Sequence, residues 1–286
     1  MGRGIRVVIA SGKGGTGKTT LSVAFAKSIE ESVVLLDCDV EEPNCHIFFD
    51  NSDTVATPVQ QLVPVVETDK CTGCGKCSDL CQFSAIISFA GADAMVFPDL
   101  CHSCGGCKLV CPTSAITEEP YKIGMIEDVK IGAKKALVSG RLDVGHAMSP
   151  PIIKEVLKYA SKYEGVQIVD APPGTSCPFV TTAKDSDYVI FVIEPTPFGA
   201  NDLKIAVDTL REIGKPFGVI INRMEQPDNI ITEYCCDEDI KVLAQIPQSR
   251  YVAECYSQGL SLVDAKPELK SKLRDVIALI KREVTK

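Results

Sequence analysis

Eight cysteines in the middle of this chain fall into two matching runs. The first is Cys71-x2-Cys74-x2-Cys77-x3-Cys81, and the second is Cys101-x2-Cys104-x2-Cys107-x3-Cys111 followed by Pro112. Thiolates are soft ligands that suit iron–sulfur clusters or zinc. A structural zinc site takes four cysteines, usually as two CxxC pairs separated by a longer loop. Three cysteines at two-residue intervals with a fourth after three make a poor zinc pattern. The spacing is the one that wraps a cubane [4Fe-4S] cluster. The runs also form an internal repeat. Asp69-Lys-Cys-x-x-Cys-Gly-Lys-Cys leading to Ser84-Ala85-Ile86 echoes Asp99-Leu-Cys-x-x-Cys-Gly-Gly-Cys leading to Ser114-Ala115-Ile116. Ile86 to Phe89 and Met95 to Phe97, around residues 90–93, read as a hairpin joining the halves. Small size is no obstacle to folding, because clusters cross-link what little core such a segment has.

Residues 64–119 closely resemble the bacterial two-cluster ferredoxin family. The resemblance implies a crossed assignment. Cys71, Cys74, Cys77 and Cys111 would hold one cluster, and Cys101, Cys104, Cys107 and Cys81 the other. The family's proline after the fourth cysteine stands at Pro112, but Gln82 takes its place in the first half. Segment 60–119 carries three Lys against seven Asp or Glu. Cluster charge makes it more negative still, so a docking partner with a basic patch is expected.

An α/β rhythm surrounds this segment. Ile5 to Ala10 is an apolar run suited to a buried parallel strand, in an opening that reads as a strand rather than a cleaved leader. Thr19 to Ile29 is helical, with Leu21, Phe25 and Ile29 on one face. Val33 to Leu36 is the next strand, ending at Asp37. From Ser52 to Val66 the pattern loosens around Pro58 and Pro64. After Pro120, Pro151 to Ala160 reads as helix, then Val166 to Val169 and Tyr188 to Ile193 as strands. Leu203 to Ile213 reads as helix, with strands at Phe217 to Ile221 and Val242 to Ile246. A last amphipathic helix carries Leu269, Leu273, Ile277, Ile280 and Val284. Six short strands alternating with helices predict a doubly wound, mostly parallel sheet with an inserted α+β module. The expected division is 1–58 and 120–286 for the sheet domain and 59–119 for the insert.

Gly12-Lys13-Gly14-Gly15-Thr16-Gly17-Lys18-Thr19 fits the phosphate-loop pattern GxxxxGK[ST], after a strand and opening a helix. The alternative is a glycine-rich turn without a ligand. Glycines let backbone N–H groups approach phosphate, and the helix N-terminus adds a favourable dipole. Lys18 should reach the β- and γ-phosphates, Thr19 should bind Mg2+, and Thr20 should support the α-phosphate.

The string Lys13-Gly-Gly-Thr-Gly-Lys-Thr-Thr resembles the deviant Walker A loop of the MinD/ParA/Mrp ATPases. Leu36-Asp37-Cys38-Asp39 is similar to that family's first switch. Val169-Asp170-Ala-Pro-Pro-Gly174-Thr175 is similar to its Walker B strand and second switch. Ile221-Asn222-Arg223 matches its base-recognition turn, and Ile246-Pro247 lies where it closes over adenine. The likeness spans nearly all of 1–58 and 120–286, and the insert points to the subgroup that carries a ferredoxin domain. It implies roles. Lys13 would cross a dimer interface and stabilise charge on the transferred phosphoryl group, as an arginine finger does. Asp39 would orient the attacking water, while Asp37 and Asp170 would hold Mg2+. Gly174 would sense the γ-phosphate, and Asn222, with Arg223, would read the base. The implied reaction is slow hydrolysis of ATP to ADP and phosphate within a transient homodimer, because the work is conformational.

The formal charge of −8 argues against broad nucleic-acid binding. No apolar stretch is long enough to span a bilayer. Clustered thiols beside a nucleotide site suggest a reducing cytoplasm rather than a disulfide scaffold. Cys177 lies seven residues after Asp170, where the nitrogenase iron protein of the same superfamily has a cluster ligand. It reads either as an interface cluster ligand or redox thiol, with Cys38 or Cys45 as second ligands only in a different geometry, or as a buried, inert cysteine. Cys235, Cys236 and Cys255 read as small apolar residues, and His46, His102 and His146 as structural or solvated. The last helix reads as docking on the sheet, with a membrane-surface anchor as the alternative. Three functions follow. The first is an ATP-gated electron carrier with a redox partner. The second is an iron–sulfur assembly or transfer factor, and the third a redox-sensing positioning ATPase.

Overall fold

The computed structural model describes residues 4–49, 53–89, 91–226 and 229–285. Met1 to Arg3, Ser52 and Ala90, which fall within the expected opening strand, the loosened segment and the hairpin turn, lie outside the described residues. The chain divides into two compact units. One comprises Met1–Ala56, Glu127–Arg141 and Ile153–Lys286; the other comprises Thr57–Ile126 and Leu142–Ile152.

The first unit begins β1 (Arg6–Ala10), α1 (Lys18–Ser28), β2 (Val33–Asp37). Every residue of β1 and β2 is buried, as expected for parallel strands covered on both faces. The described residues then give β3 (Thr54–Val66), α2 (Lys76–Leu80), β4 (Ile86–Ile87), β5 (Met95–Val96) and α3 (Gly106–Val110). Two long strands follow, β6 (Ile116–Gly132) and β7 (Lys135–Leu142), and then α4 (Pro150–Tyr159) and β8 (Val166–Asp170). The chain ends with α5 (Cys177–Lys184), β9 (Tyr188–Ile193), α6 (Pro197–Glu212), β10 (Phe217–Met224), α7 (Ile230–Asp237), β11 (Val242–Pro247), α8 (Arg250–Ser257), α9 (Leu262–Ala265) and α10 (Leu269–Val284).

The sheet runs β11-β10-β9-β1-β8-β2-β7-β6-β3. From β11 to β7 every neighbouring pair is parallel. The mostly parallel sheet is therefore as expected, but it has nine strands rather than six. Residues 54–66 form a 13-residue strand, not a loosened segment. Pro58 and Pro64 are tolerated because β3 is the last strand in the order, where a missing N–H leaves no partner strand wanting. Residues 116–132 also form one strand, so Pro120 interrupts nothing.

Alternation along the strands sends side chains to two covered faces. Val7, Ile9, Leu35 and Ile168 pack with α1 and α10 in one core. On the other face Arg6 is only 1% exposed. Its Nε donates to Gln167 Oε1 at 2.7 Å, and its Nη2 donates to the Leu157 carbonyl at the end of α4 at 2.9 Å. It is also paired with Asp185, so a charge on the covered face is hydrogen-bonded throughout. Helix α1 is buried nearly all round rather than along the single Leu21–Phe25–Ile29 stripe, because Ser22, Val23, Ala24 and Ala26 are covered as well. In α10 the buried residues are Leu273, Val276, Ile277 and Ile280. Each such side chain contributes about 1.5–3 kcal/mol on burial. The apolar face of α10 is thus spent on the core, and the anchor alternative has no free face to use. Among the described residues no helix is long and apolar enough to cross a membrane.

In the second unit β4 and β5 pair antiparallel, Ile86 with Val96 and Ile87 with Met95, as the hairpin reading expects. The cysteine repeat is also a backbone repeat. Left-handed residues recur at equivalent positions: Gly73 and Ser103 at +60° and +52°, Gly75 and Gly105 at +76° and +69°, Ser84 and Ser114 at +53° and +52°.

Candidate functional site

The loop 11–17 leaves the carboxyl end of β1 and turns into α1, at the edge where open α/β sheets bind ligands. Gly17 precedes the helix with φ +92°, and a Cβ there would sit 2.3 Å from Asn222 Nδ2. Only glycine permits both the turn and that approach. Asn222 uses the space to donate to the Thr16 carbonyl at 2.7 Å, which joins the end of β10 to the loop. Gly12 is pressed against Asp202, whose Cβ would lie 2.3 Å from an added Cβ. Gly174 donates its N–H to the Ser11 carbonyl at 2.9 Å.

A cavity of about 980 Å3 opens above this loop. Its floor includes Gly14, Gly15 and Gly17, then Lys18, Thr19 and Thr20 from the first turn of α1. Lys13, Asp39, Asn222, Arg223 and Pro247 line its sides, as does Tyr256 of α8. The residues expected at the site from positions 13 to 247 are therefore drawn together. Thr16 is buried, and its Oγ1 has no hydrogen-bond partner among the described residues. Orphaned buried hydroxyls are uncommon and commonly mark a missing ligand or water.

The charged centre lies beneath. Asp37 and Asp170 end the neighbouring strands β2 and β8 and are partners in their register. Lys18 Nζ stands 3.0 Å from Asp170 Oδ2 and 3.4 Å from Asp39 Oδ2. Asp170 accepts from Thr19 Oγ1 and from Ser22 Oγ, each at 2.8 Å. Asp37 accepts from the Cys45 N–H at 2.9 Å and the Asp39 N–H at 3.2 Å. Burial alone would lower the Lys18 pKa, but Asp170 and Asp39 outweigh it and hold the ammonium above its ordinary value. Burial, then the neighbouring Asp170, pushes Asp37 up to about 7. Asp39 is also raised by burial, partly offset by Lys18. Three carboxylates thus face one ammonium in a buried place, and an extra divalent cation fits such a charge imbalance. Lys18, Asp37, Asp170 and Thr19 are the side chains that would share it with a phosphate.

Two partners, Glu194 and Ser22, were not evident in the sequence, nor was the place of Cys45 beside Asp37 and Asp170. Glu194, just past β9, pairs with both Lys13 and Arg223, at 3.4 and 2.7 Å. Ser22 looked like an ordinary helix residue. Cys45 lies with Asp37 and Asp170 in a buried group whose ligand atoms are all within 4.8 Å. Burial, reinforced by Asp37, raises the pKa of both Cys45 and Cys38, so these thiols stay protonated and inert. Cys177 is exposed at the start of α5, not buried, while Cys235 and Cys255 are buried and Cys236 is exposed.

The cysteine unit holds two cavities of its own. The smaller, about 20 Å3, is bounded by Cys71, Cys74, Cys77 and Cys111. The larger, about 280 Å3, is bounded by Cys81, Cys101, Cys104 and Cys107. Backbone amides point at ligand-type sulfurs: Ala115 N–H at Cys111 Sγ, 3.3 Å, and Ser103 N–H at Cys101 Sγ, 3.4 Å. Burial would raise the Cys81 and Cys111 thiols, but backbone N–H groups around Cys81, and the Thr113 side chain with backbone N–H groups around Cys111, outweigh it and lower both. Such donors favour thiolate, the form that binds metal.

Comparison with known proteins gives the family and the fold. A family described as the CobQ/CobB/MinD/ParA nucleotide binding domain matches residues 7–263. An uncharacterized protein of Methanocaldococcus jannaschii is 33% identical over 280 residues, covering 97% of this chain and 96% of its own. The septum site-determining protein MinD of Pyrococcus horikoshii, solved with Mg-ADP, shares the fold at TM-score 0.55 and 22% identity, over 97% of this chain and 95% of that one. The cell division ATPase MinD of Pyrococcus furiosus does so at TM-score 0.57 and 21% identity, over 98% and 100%. The chain belongs to the CobQ/CobB/MinD/ParA family of P-loop nucleotide-binding domains.

Proposed function

We propose that this protein hydrolyses ATP as a dimer-forming switch and carries two [4Fe-4S] clusters, on the 59–119 module, through which electrons pass. The observation that carries the reading is the pair of cysteine cavities. Each is bounded by three cysteines of one run and the fourth of the other, on a chain that also holds a buried lysine among three carboxylates. Three cysteines at two-residue intervals with the fourth taken from the other run suit a cubane better than a single ion. When bound, the clusters supply one-electron chemistry at low potential.

At the nucleotide site, Gly14, Gly15 and Gly17 leave the loop amides open to phosphate, and Thr16 offers its unpaired hydroxyl. Lys18 exchanges Asp170 and Asp39 for the β- and γ-phosphates. Thr19, Asp37 and Asp170 are the Mg2+ side chains, and Asp39, released by Lys18, orients water. Asn222, Arg223 and Pro247 lie along the wall where the base rests. Lys13 is half exposed and serves the partner's nucleotide in the closed dimer.

The test uses anaerobically purified protein. Iron and sulfide content is measured first, then the ATPase rate with clusters oxidised and reduced, for wild type and Lys13→Ala. A rate that follows redox state and disappears in the variant supports the switch. A rate indifferent to redox state detaches the cysteine module from hydrolysis.

One observation favours a second reading, cluster delivery to an acceptor protein. Cys177 is exposed, between Ser176 and Pro178, which line the nucleotide cavity. Unchanged cluster transfer to an apo-acceptor by Cys177→Ala would remove that support.

A further inference from the structure

Two of the matched positions at which the halves of the cysteine repeat diverge lie at the cavities. The residue after the first cysteine is Thr72 in one half and His102 in the other. The residue two places after the fourth is Phe83 in one and Thr113 in the other. The crossing of the chain sorts these four by cavity. Thr72 and Thr113 line the cavity of Cys71, Cys74, Cys77 and Cys111. Phe83 and His102 line the other, where their rings stack 3.3 Å apart at 10°.

Thr113 Oγ1 lies 3.7 Å from Cys111 Sγ. A sulfur that ligates iron is a thiolate and has no proton to give, so the hydroxyl must be the donor. Backbone N–H groups surround the fourth cysteine in both halves, Cys81 as well as Cys111. What distinguishes Cys111 among the described residues is the added side-chain hydroxyl. At the matched position beside Cys81 stands a phenyl ring.

We infer, resting on the cluster reading above, that Thr113 sets the potential of one centre: its hydroxyl, bonded to Cys111 Sγ, raises the reduction potential of the Cys71–Cys74–Cys77–Cys111 cluster, while the Phe83–His102 stack leaves the other without that donor. The physical reason is charge. Reduction adds one electron and no proton to a cluster, and much of the added negative charge resides on sulfur. A donor aimed at sulfur therefore stabilises the reduced form more than the oxidised one. Solvent exposure and the other hydrogen bonds to sulfur also bear on each potential. The order of the two potentials is thus a balance, and the shift caused by the hydroxyl alone is the quantity to measure.

The experiment is a dithionite titration of the full-length anaerobic protein, followed by electron paramagnetic resonance. Each centre takes one electron from the dithionite-derived donor. Thr113→Val keeps shape and removes the donor, and Phe83→Thr transplants a hydroxyl beside Cys81. The expected result is a lower midpoint for one centre in Thr113→Val and a higher midpoint for the other in Phe83→Thr, with iron content unchanged in each. Midpoints that stay put in both variants, with iron retained, overturn the inference. If Thr113→Val loses iron, Phe83→Thr decides alone. Wild type free of iron and sulfide would overturn the cluster reading itself, which is a separate failure.

Discussion

Lys13 Nζ stands 3.4 Å from Glu194 Oε2, within its own subunit. The same carboxylate pairs with Arg223, so one acid ties the loop lysine to the end of β10. A lysine that must reach a partner's nucleotide has first to leave this pair. An exposed pair of this kind is worth about 0.2–1 kcal/mol. Glu194→Gln should therefore lower the protein concentration giving half-maximal ATPase by about 1.4- to fivefold for each pair broken. Arg223→Gln, which leaves the Lys13 pair in place, should not reproduce that shift. Dilution series of the three proteins, under saturating ATP, provide the check.

Asp170 is the acceptor for Thr19, Ser22 and Lys18 together. Asp170→Asn keeps the shape but leaves the ammonium with less negative charge and disorients Thr19. The Mg2+ concentration for half-maximal ATPase should rise by about 10- to 100-fold. Titrating Mg2+ at fixed ATP measures it, and an unchanged midpoint would remove Asp170 from the metal site.

Thr16 Oγ1 makes no hydrogen bond among the described residues. Replacing it should therefore cost nucleotide affinity and not stability. A neutral hydrogen bond is worth about 0.5–1.5 kcal/mol, so Thr16→Val should bind nucleotide about 2- to 12-fold more weakly. Its unfolding midpoint in urea should be equal to or above that of wild type. Calorimetric titration with ADP and a urea melt separate the two effects.

Asp264 closes the capping box of α9, accepting from the Ser261 N–H at 2.9 Å, and its Oδ2 lies 2.7 Å from Lys27 Nζ. Burial would raise its pKa, but Lys27 and Ser261 outweigh it and hold it below the usual carboxylate value. The unfolded chain therefore takes up this proton first as pH falls. Its contribution is complete above the unfolded pKa of about 3.9 and is lost as pH drops through the lower folded value. Asp264→Asn, which keeps an acceptor and removes the charge paired with Lys27, should cost about 0.2–1 kcal/mol at neutral pH. The gap to wild type should close in acid, as followed by urea melts at stepped pH.

Much of the sheet domain was legible because its signals are local. The burial of β1, β2, β8 and β9 shows as apolar runs, and the loop between β1 and α1 declares itself by its glycines and Lys18-Thr19. The edge of the sheet was not legible. Pro58, Pro64 and Pro120 look like breaks when each residue is read with its neighbours, and the position of β3 at the end of the order makes Pro58 and Pro64 harmless there. Glu194 was missed for a similar reason. It follows an apolar strand and carries no motif, and its importance comes from Lys13 and Arg223, which reach it from far along the chain.

The sequence by itself determined the phosphate loop and the duplicated cysteine spacing, because each depends on residue type at fixed short intervals. Only the tertiary structure decided what those residues do to one another. It brought Asp37, Asp39 and Asp170 around Lys18 from three places in the chain, and it left Thr16 without a partner. It also sorted Thr113 to one set of cysteines and Phe83 to the other. Charge, desolvation and hydrogen bonding act over a few ångströms of space, and separation along the chain does not reveal that distance.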